Sequence, residues 1–172
     1  SLLDEENRVE LEWLLQDIML CSLLGVRAVL VVSMEHLVLQ RLCDGEEGCP
    51  VPISVDGGPP ELVVTEAVLR VVKQEAGLVC SELESMVGRL SMQAHGSGAL
   101  TGKTYSVYSS SQVVTAVPLK TSDPETNRHR GRVATVDVEE IGKRLTQGDI
   151  VCVTPLGVTA AGKMCYLNSE EL

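Results

Sequence analysis

Several stretches of this 172-residue chain place chemistry-bearing side chains at suggestive spacings. His95 to Thr104, HGSGALTGKT, looks like a phosphate-cradling loop. Such a loop needs its glycines five residues apart ahead of Lys-Ser/Thr. Gly98 to Gly102 is one residue short of that spacing, and Gly96 to Gly102 is one too long. A helical pattern precedes the segment and strand-like residues follow, the inverse of the required context, so a surface loop is expected. Cys43 and Cys49 match no common zinc spacing, and no paired histidines follow them. Arg128, His129, Arg130 and Arg132 form a basic cluster expected as a solvated loop. Asn168, Ser169, Glu170 and Glu171 close the sequence; Ser169 can cap a helix with acids in its first turn. His36, His95 and His129 are isolated, so no Ser/His/Asp or Cys/His nucleophilic set is recognisable.

Composition narrows the classes. The chain is 44% hydrophobic and 22% charged, which excludes disorder and allows one domain with a substantial core. Fourteen basic against 24 acidic residues give a net charge of −10, opposed to phosphate-backbone binding. Aromatic residues are only 2%, with no Phe, so platforms for stacking bases are not expected. No nucleic-acid partner is therefore expected. No apolar run is long enough for a membrane span. The six cysteines form no C-x-x-C pair, and several lie inside apolar runs. They read as buried small hydrophobes in a reducing intracellular setting, the cytoplasm or an organelle such as a plastid or mitochondrion.

The elements that must position any site follow from periodicity. Leu11, Leu14, Leu15 and Ile18 mark a helix that Gly25 closes, and residues 27–32 predict a buried strand. Residues 43–60 read as an exposed Gly/Pro/acid-rich loop or insertion. Thr65 caps a helix carrying Val68, Leu69, Val72 and Ala76 inward, Gly77 is expected to break it, and Val79, Leu83, Met86, Val87 and Leu90 line a second. Residues 103–120 predict two strands around Ser109 to Gln112, with Tyr105, Val107, Val113, Val114 and Val117 as apolar members. A strand at Gly131 to Val136 precedes a helix capped by Asp137, with Glu140 completing a capping box. Val138, Ile141 and Leu145 share a face of that helix, and Gly148 ends it. Ile150 to Val153 then reads as a central strand covered on both faces. It releases Thr154-Pro155-Leu156-Gly157 where open α/β sheets hold ligands.

From His129 onward, the order H-x-G-R-V, a helix, GDIV-x-x-x-PLG and G-x-x-x-x-L-N-S-E-E resembles N-acetylglutamate synthase. More narrowly it resembles that enzyme's amino-acid-kinase-like domain, a relative of acetylglutamate kinase. SLLGVRAVLVV and VVTEAVLRVVKQEAG…RLSM resemble the same family, so the likeness covers most of 9–32 and 62–172. It implies a three-layer α/β/α sandwich with a mainly parallel sheet, truncated at both ends, over residues 1–172, with the acetyltransferase domain outside the chain. It implies a parent amino-acid N-acetyltransferase of arginine biosynthesis that moves acetyl from acetyl-CoA to L-glutamate. L-arginine would be an effector and the assembly a homo-oligomer. No cofactor is implied in this chain, and acetyl-CoA belongs to the missing domain.

By resemblance, Gly131, Arg132, Asn168, Ser169 and Glu170 are the ligand-binding candidates, with no catalytic or metal residue. Several family positions are changed. The glycine loop that follows the first strand is replaced by Ser33-Met34-Glu35-His36-Leu37. The family's arginine before Val-Thr falls at Leu62 or Val63, and the kinase's substrate Asn and catalytic Asp are Tyr166 and Glu170. The coenzyme A turn Q/R-x-x-G-x-G/A has only Arg128-x-x-Gly131-x-Val133 as its nearest match, ending in a branched residue before a strand. The expectation is a noncatalytic regulatory and assembly domain. The alternatives are an acetylglutamate kinase, or a degenerate oligomerisation scaffold without a ligand.

Overall fold

The computed structural model describes residues 5–44, 53–54, 60–61, 63–96, 104–119 and 129–172. The phosphate-loop-like residues 97–103, Arg128 and most of 43–60 lie outside these. The chain divides into two compact units. Unit one contains residues 1–30, 78–109 and 138–153; unit two contains 31–77, 110–137 and 154–172.

Unit one is built on a three-stranded sheet in the order β1 (Val29–Val31), β7 (Ile150–Val153), β4 (Val107–Ser109). β4 and β7 run parallel, pairing Tyr108 with Val151 and Ser109 with Cys152. β7 is central and fully buried, as its unbroken apolar run predicts. β1 lies at an edge, and Val29 and Val31 are 43% and 46% exposed, correcting the expected buried strand. Side chains of paired residues alternate between sheet faces. Tyr108 and Val151 therefore share one face, where Arg144 of α4 (Val138–Gln147) sits 4.1 Å from the Tyr108 ring centroid. Ser109 and Cys152 share the other, where Cys80 of α3 (Glu66–Gly96) meets Ser109 Oγ at 3.1 Å. Helices thus cover both faces.

α1 (Glu5–Leu23) buries Leu15 and Met19, and Arg89 of α3 pairs with its Glu12. Gly25 ends α1 at φ +85°, with its N–H donating to Ser22 O, as expected. Leu14 is exposed, and with Val9, Trp13, Leu20 and Leu23 it leaves much apolar surface on α1. Gly148 likewise ends α4 at φ +94°, and Asp149 N–H donates to Arg144 O. Val138, expected inward, is 72% exposed.

Unit two holds a four-stranded mixed sheet, order β6 (Gly131–Val136), β5 (Val114–Pro118), β8 (Leu156–Thr159), β9 (Met164–Tyr166). β5 and β8 are parallel; β5–β6 and β8–β9 are antiparallel. A bridge from Arg130 to Tyr166, just outside β6, joins the two outer strands, so the sheet curls back on itself. The curl explains the small residues inside it. A Cβ on Gly131 would stand 3.0 Å from Cys165 Cβ and 3.1 Å from Val117 O. One on Gly157 would stand 2.8 Å from Leu167 Cδ1 and 3.1 Å from both Ala116 Cβ and Val114 O. Thr154 to Gly157, expected as a ligand loop, instead runs buried into β8. A 3₁₀ turn over Ser111–Val113 precedes β5, and Val117, expected inward, is exposed.

The remainder of unit two is helical. α2 (Glu35–Asp44) buries Val38 and Leu42, in register with Met34 before it. These three positions at intervals of four are the stripe that joins a helix to a core. Thr65 caps α3: its hydroxyl accepts from Val68 N–H at 3.3 Å. Gly77 does not break α3, which is continuous through it, because one glycine costs only about 1 kcal/mol and flanking apolar positions remain in phase. Glu75 is 1% exposed and held by Arg41 Nε at 3.3 Å. Within the 43–60 segment, Ile53–Ser54 (β2) pairs antiparallel with Pro60–Glu61 (β3). Cys43 is disulfide-bonded, correcting the all-reduced expectation, whereas Cys21, Cys80, Cys152 and Cys165 are free. Among the described residues no helix is long and apolar enough to cross a membrane.

Candidate functional site

The two C-terminal stretches singled out from sequence meet in unit two. Tyr166 N–H donates to His129 O at 2.7 Å, and the Arg130 bridge continues this contact. The start of β6, with Gly131 and Arg132, is thereby set beside the end of β9. After β9 the chain turns through a 3₁₀ segment, Ser169–Glu171, capped by Asn168. Asn168 Oδ1 accepts from Glu170 N–H at 3.1 Å, so its side chain is committed to the turn. Glu171 Oε2 accepts from Val133 N–H at 3.4 Å, tying the turn back to β6. Ser169 Oγ donates to Ser33 Oγ at 3.3 Å, which brings in the segment ahead of α2.

The five ligand-binding candidates therefore divide by environment. Gly131 is buried and packed against Cys165 Cβ and Ala116 Cβ, so its missing side chain serves strand packing. Arg132 and Glu170 are exposed, and Asn168 and Ser169 are half-buried. Ser169 is not the cap expected from sequence: Asn168 caps the segment, and the helix is a single 3₁₀ turn.

Sequence reading missed several members of this neighbourhood. Arg130, expected in a solvated basic cluster, is only 8% exposed. Tyr166 is buried, and its phenol is pushed up to about 12, first by burial and then by the Glu35 carboxylate, with Arg130 acting in the opposite sense. A neutral Tyr166 hydroxyl at physiological pH can donate or accept but cannot serve as an anion. Glu35 entered the sequence reading only as part of a changed loop. Its role beside Tyr166 depends on a contact between residues far apart in the chain, which periodicity does not reveal.

Arg132 and Glu170 are exposed groups of opposite charge, and the Ser33 and Ser169 hydroxyls meet next to Glu170 in the chain. Among the described residues no three His, Cys, Asp or Glu side chains cluster as a metal site. A separate cleft of about 240 Å³ lies in unit one, beside Tyr105, Arg27 and Ile150, at the N-terminal ends of its strands. Two of its polar side chains are already engaged: the Tyr105 hydroxyl donates to Met19 O at 3.0 Å and Arg27 Nη1 to Thr146 Oγ1 at 3.3 Å.

No family model matches the chain. Similar curated proteins include the amino-acid acetyltransferase of Vibrio atlanticus, 31% identical over 160 residues, covering 92% of this chain and 33% of that protein. The amino-acid acetyltransferase of Yersinia pseudotuberculosis is 32% identical over the same length, covering 92% and 34%. Among solved structures, N-acetylglutamate synthase from Neisseria gonorrhoeae complexed with coenzyme A and L-arginine matches with a TM-score of 0.71 at 26% identity, covering 92% of this chain and 35% of that one. The same enzyme complexed with coenzyme A and N-acetyl-glutamate matches at 0.66 and 28%, covering 92% and 33%. The chain thus spans about a third of the length of the curated amino-acid acetyltransferases it is similar to.

Proposed function

We propose that this chain is the amino-acid-kinase-like part of an N-acetylglutamate synthase, whose full-length form moves the acetyl group of acetyl-CoA onto the amine of L-glutamate. The observation that carries this is the likeness to the gonococcal synthase over 92% of the chain at a TM-score of 0.71. The amino-acid-kinase-like sandwich is supported by helices on both faces of the unit-one sheet and by the parallel β4–β7 pair. In this proposal acetyl transfer resides outside the 172 residues, which act in regulation and assembly for arginine biosynthesis. Arg132, Asn168, Ser169 and Glu170 flank the ligand surface, and Gly131 lets β6 and β9 approach closely.

L-arginine is the proposed effector. One of the solved relatives was captured with it, and the guanidinium and carboxylate of arginine complement Glu170 and Arg132. The exposed apolar residues of α1, led by Trp13 at 64%, support assembly as a homo-oligomer. The test is release of free coenzyme A by the full-length protein from acetyl-CoA, with and without L-glutamate. Glutamate-dependent release is expected from the full-length protein and none from this chain alone. A full-length protein inactive with glutamate, or one that phosphorylates N-acetylglutamate with ATP, would overturn the proposal. Titration with L-arginine by calorimetry checks the effector separately.

A further inference from the structure

We infer that Cys80 and Cys152 form a two-thiol site in unit one that exchanges with low-molecular-weight disulfides, Cys80 taking the first sulfur and Cys152 resolving it. The sheet register brings the site together. Ser109 and Cys152 are paired across the parallel strands β4 and β7, so their side chains emerge on the same face. α3 crosses that face at Cys80, whose Sγ lies 3.1 Å from Ser109 Oγ and hydrogen-bonds Cys152. Both thiols are free, and their exposures differ: Cys80 is half-buried and reachable, whereas Cys152 is 1% exposed.

The local chemistry gives the two sulfurs different roles. The Cys80 thiol is lowered to about 6, chiefly because its thiolate accepts a hydrogen bond from Cys152 and a further one from Ser109. Burial and the Glu84 carboxylate oppose this without cancelling it. Cys152 is raised, first by donating to Cys80 and then by burial, so it remains a thiol until its partner is consumed. A low thiol next to a protonated one is the arrangement in which the first attacks and the second resolves.

The steps balance. The Cys80 thiolate attacks one sulfur of RSSR; the Cys80–S bond forms, the S–S bond of RSSR breaks, and RS⁻ leaves. Cys152 gives its proton to solvent and attacks Cys80 Sγ; the Cys80–Cys152 bond forms, the mixed disulfide breaks, and a second RS⁻ leaves. Both leaving thiolates take up the protons released by the two cysteines. Two thiols are oxidised and one external disulfide is reduced to two RSH.

The experiment incubates the 172-residue chain with oxidised glutathione and maps the products under non-reducing conditions by mass spectrometry. The wild type is expected to lose two hydrogens and to yield a peptide linked through Cys80 and Cys152. Cys152→Ser is expected to stop at a glutathione adduct on Cys80, and Cys80→Ser to give neither adduct nor link at Cys152. Alkylation of Cys80 by iodoacetamide should reach half its maximal rate near pH 6. Circular dichroism confirms that each variant is folded, with Cys152→Ala standing in if the serine is not tolerated. A stable Cys80 adduct in the wild type, no reaction at Cys80, or a link made through Cys21 instead would overturn the inference.

Discussion

Replacing Gly157 by alanine tests the curled sheet of unit two most directly. The added methyl would stand 2.8 Å from Leu167 Cδ1 and 3.1 Å from both Ala116 Cβ and the Val114 carbonyl oxygen. Relief is restricted on every side. Leu167 is fully buried with its N–H bonded to Pro155 O at 2.9 Å, and Val114 O is backbone. Overpacking of this kind costs about 1–3 kcal/mol, while removing glycine's freedom in the unfolded chain returns about 0.4–1 kcal/mol. A net loss of about 1–2 kcal/mol is expected. With a urea m-value of about 1–3 kcal/mol/M, the midpoint should fall by roughly 0.3–2 M. Far-ultraviolet circular dichroism through a urea titration reads this. The clash is local, so Gly157→Ala should cost much less when Leu167→Ala has already emptied the space, giving a coupling of about 1 kcal/mol. An unchanged or raised midpoint, or strict additivity in the double variant, would refute the steric account.

Other perturbations test separate features. Gly77→Ala lies in the continuous helix α3 with open space around its Cβ, so it should stabilise by about 0.5–1 kcal/mol in the same titration. Arg41→Met leaves the Glu75 carboxylate buried without its guanidinium and should cost about 1–3 kcal/mol, a loss that Glu75→Gln in the same chain partly restores. Tyr166 makes stability fall at high pH. Below pH 10 its phenol is protonated in both states; between about 10 and 12 the unfolded state ionises first, and about 3 kcal/mol is lost. Tyr166→Phe should remove that fall, as seen in urea midpoints measured from pH 9 to roughly 12.

What the sequence revealed depended on whether a feature was local. The apolar run Ile150 to Val153 announced a central buried strand, and Gly25 and Gly148 marked helix ends with positive φ. Thr65 and the apolar periodicity of α3 also read correctly. Gly77 does not interrupt α3, because the phase of the flanking apolar residues outweighs a single glycine. α2 carries its buried stripe at Met34, Val38 and Leu42, a spacing that a comparison with a glycine loop does not reveal. The burial of Arg130 and the convergence of Ser33, Glu35, Tyr166 and Ser169 are products of tertiary pairing. No spacing in the chain encodes them. Residues 131–132 and 168–170 could be read only as a candidate set, and the packing role of Gly131 is visible only with the opposing Cys165 in place.

The Arg130–Tyr166 bridge has a consequence for how unit two opens. In a flat four-stranded sheet, the outer strands β6 and β9 would fray independently, each exchanging its amide hydrogens at the rate of a local edge. Here the Tyr166 amide is held by His129 O across the closure. Its hydrogen can escape only when the two outer strands part, and parting them exposes Cys165 and Leu167 together. Tyr166, near the end of the chain, should therefore exchange as slowly as the amides of β5 and β8 and report the opening of the sheet as one cooperative piece.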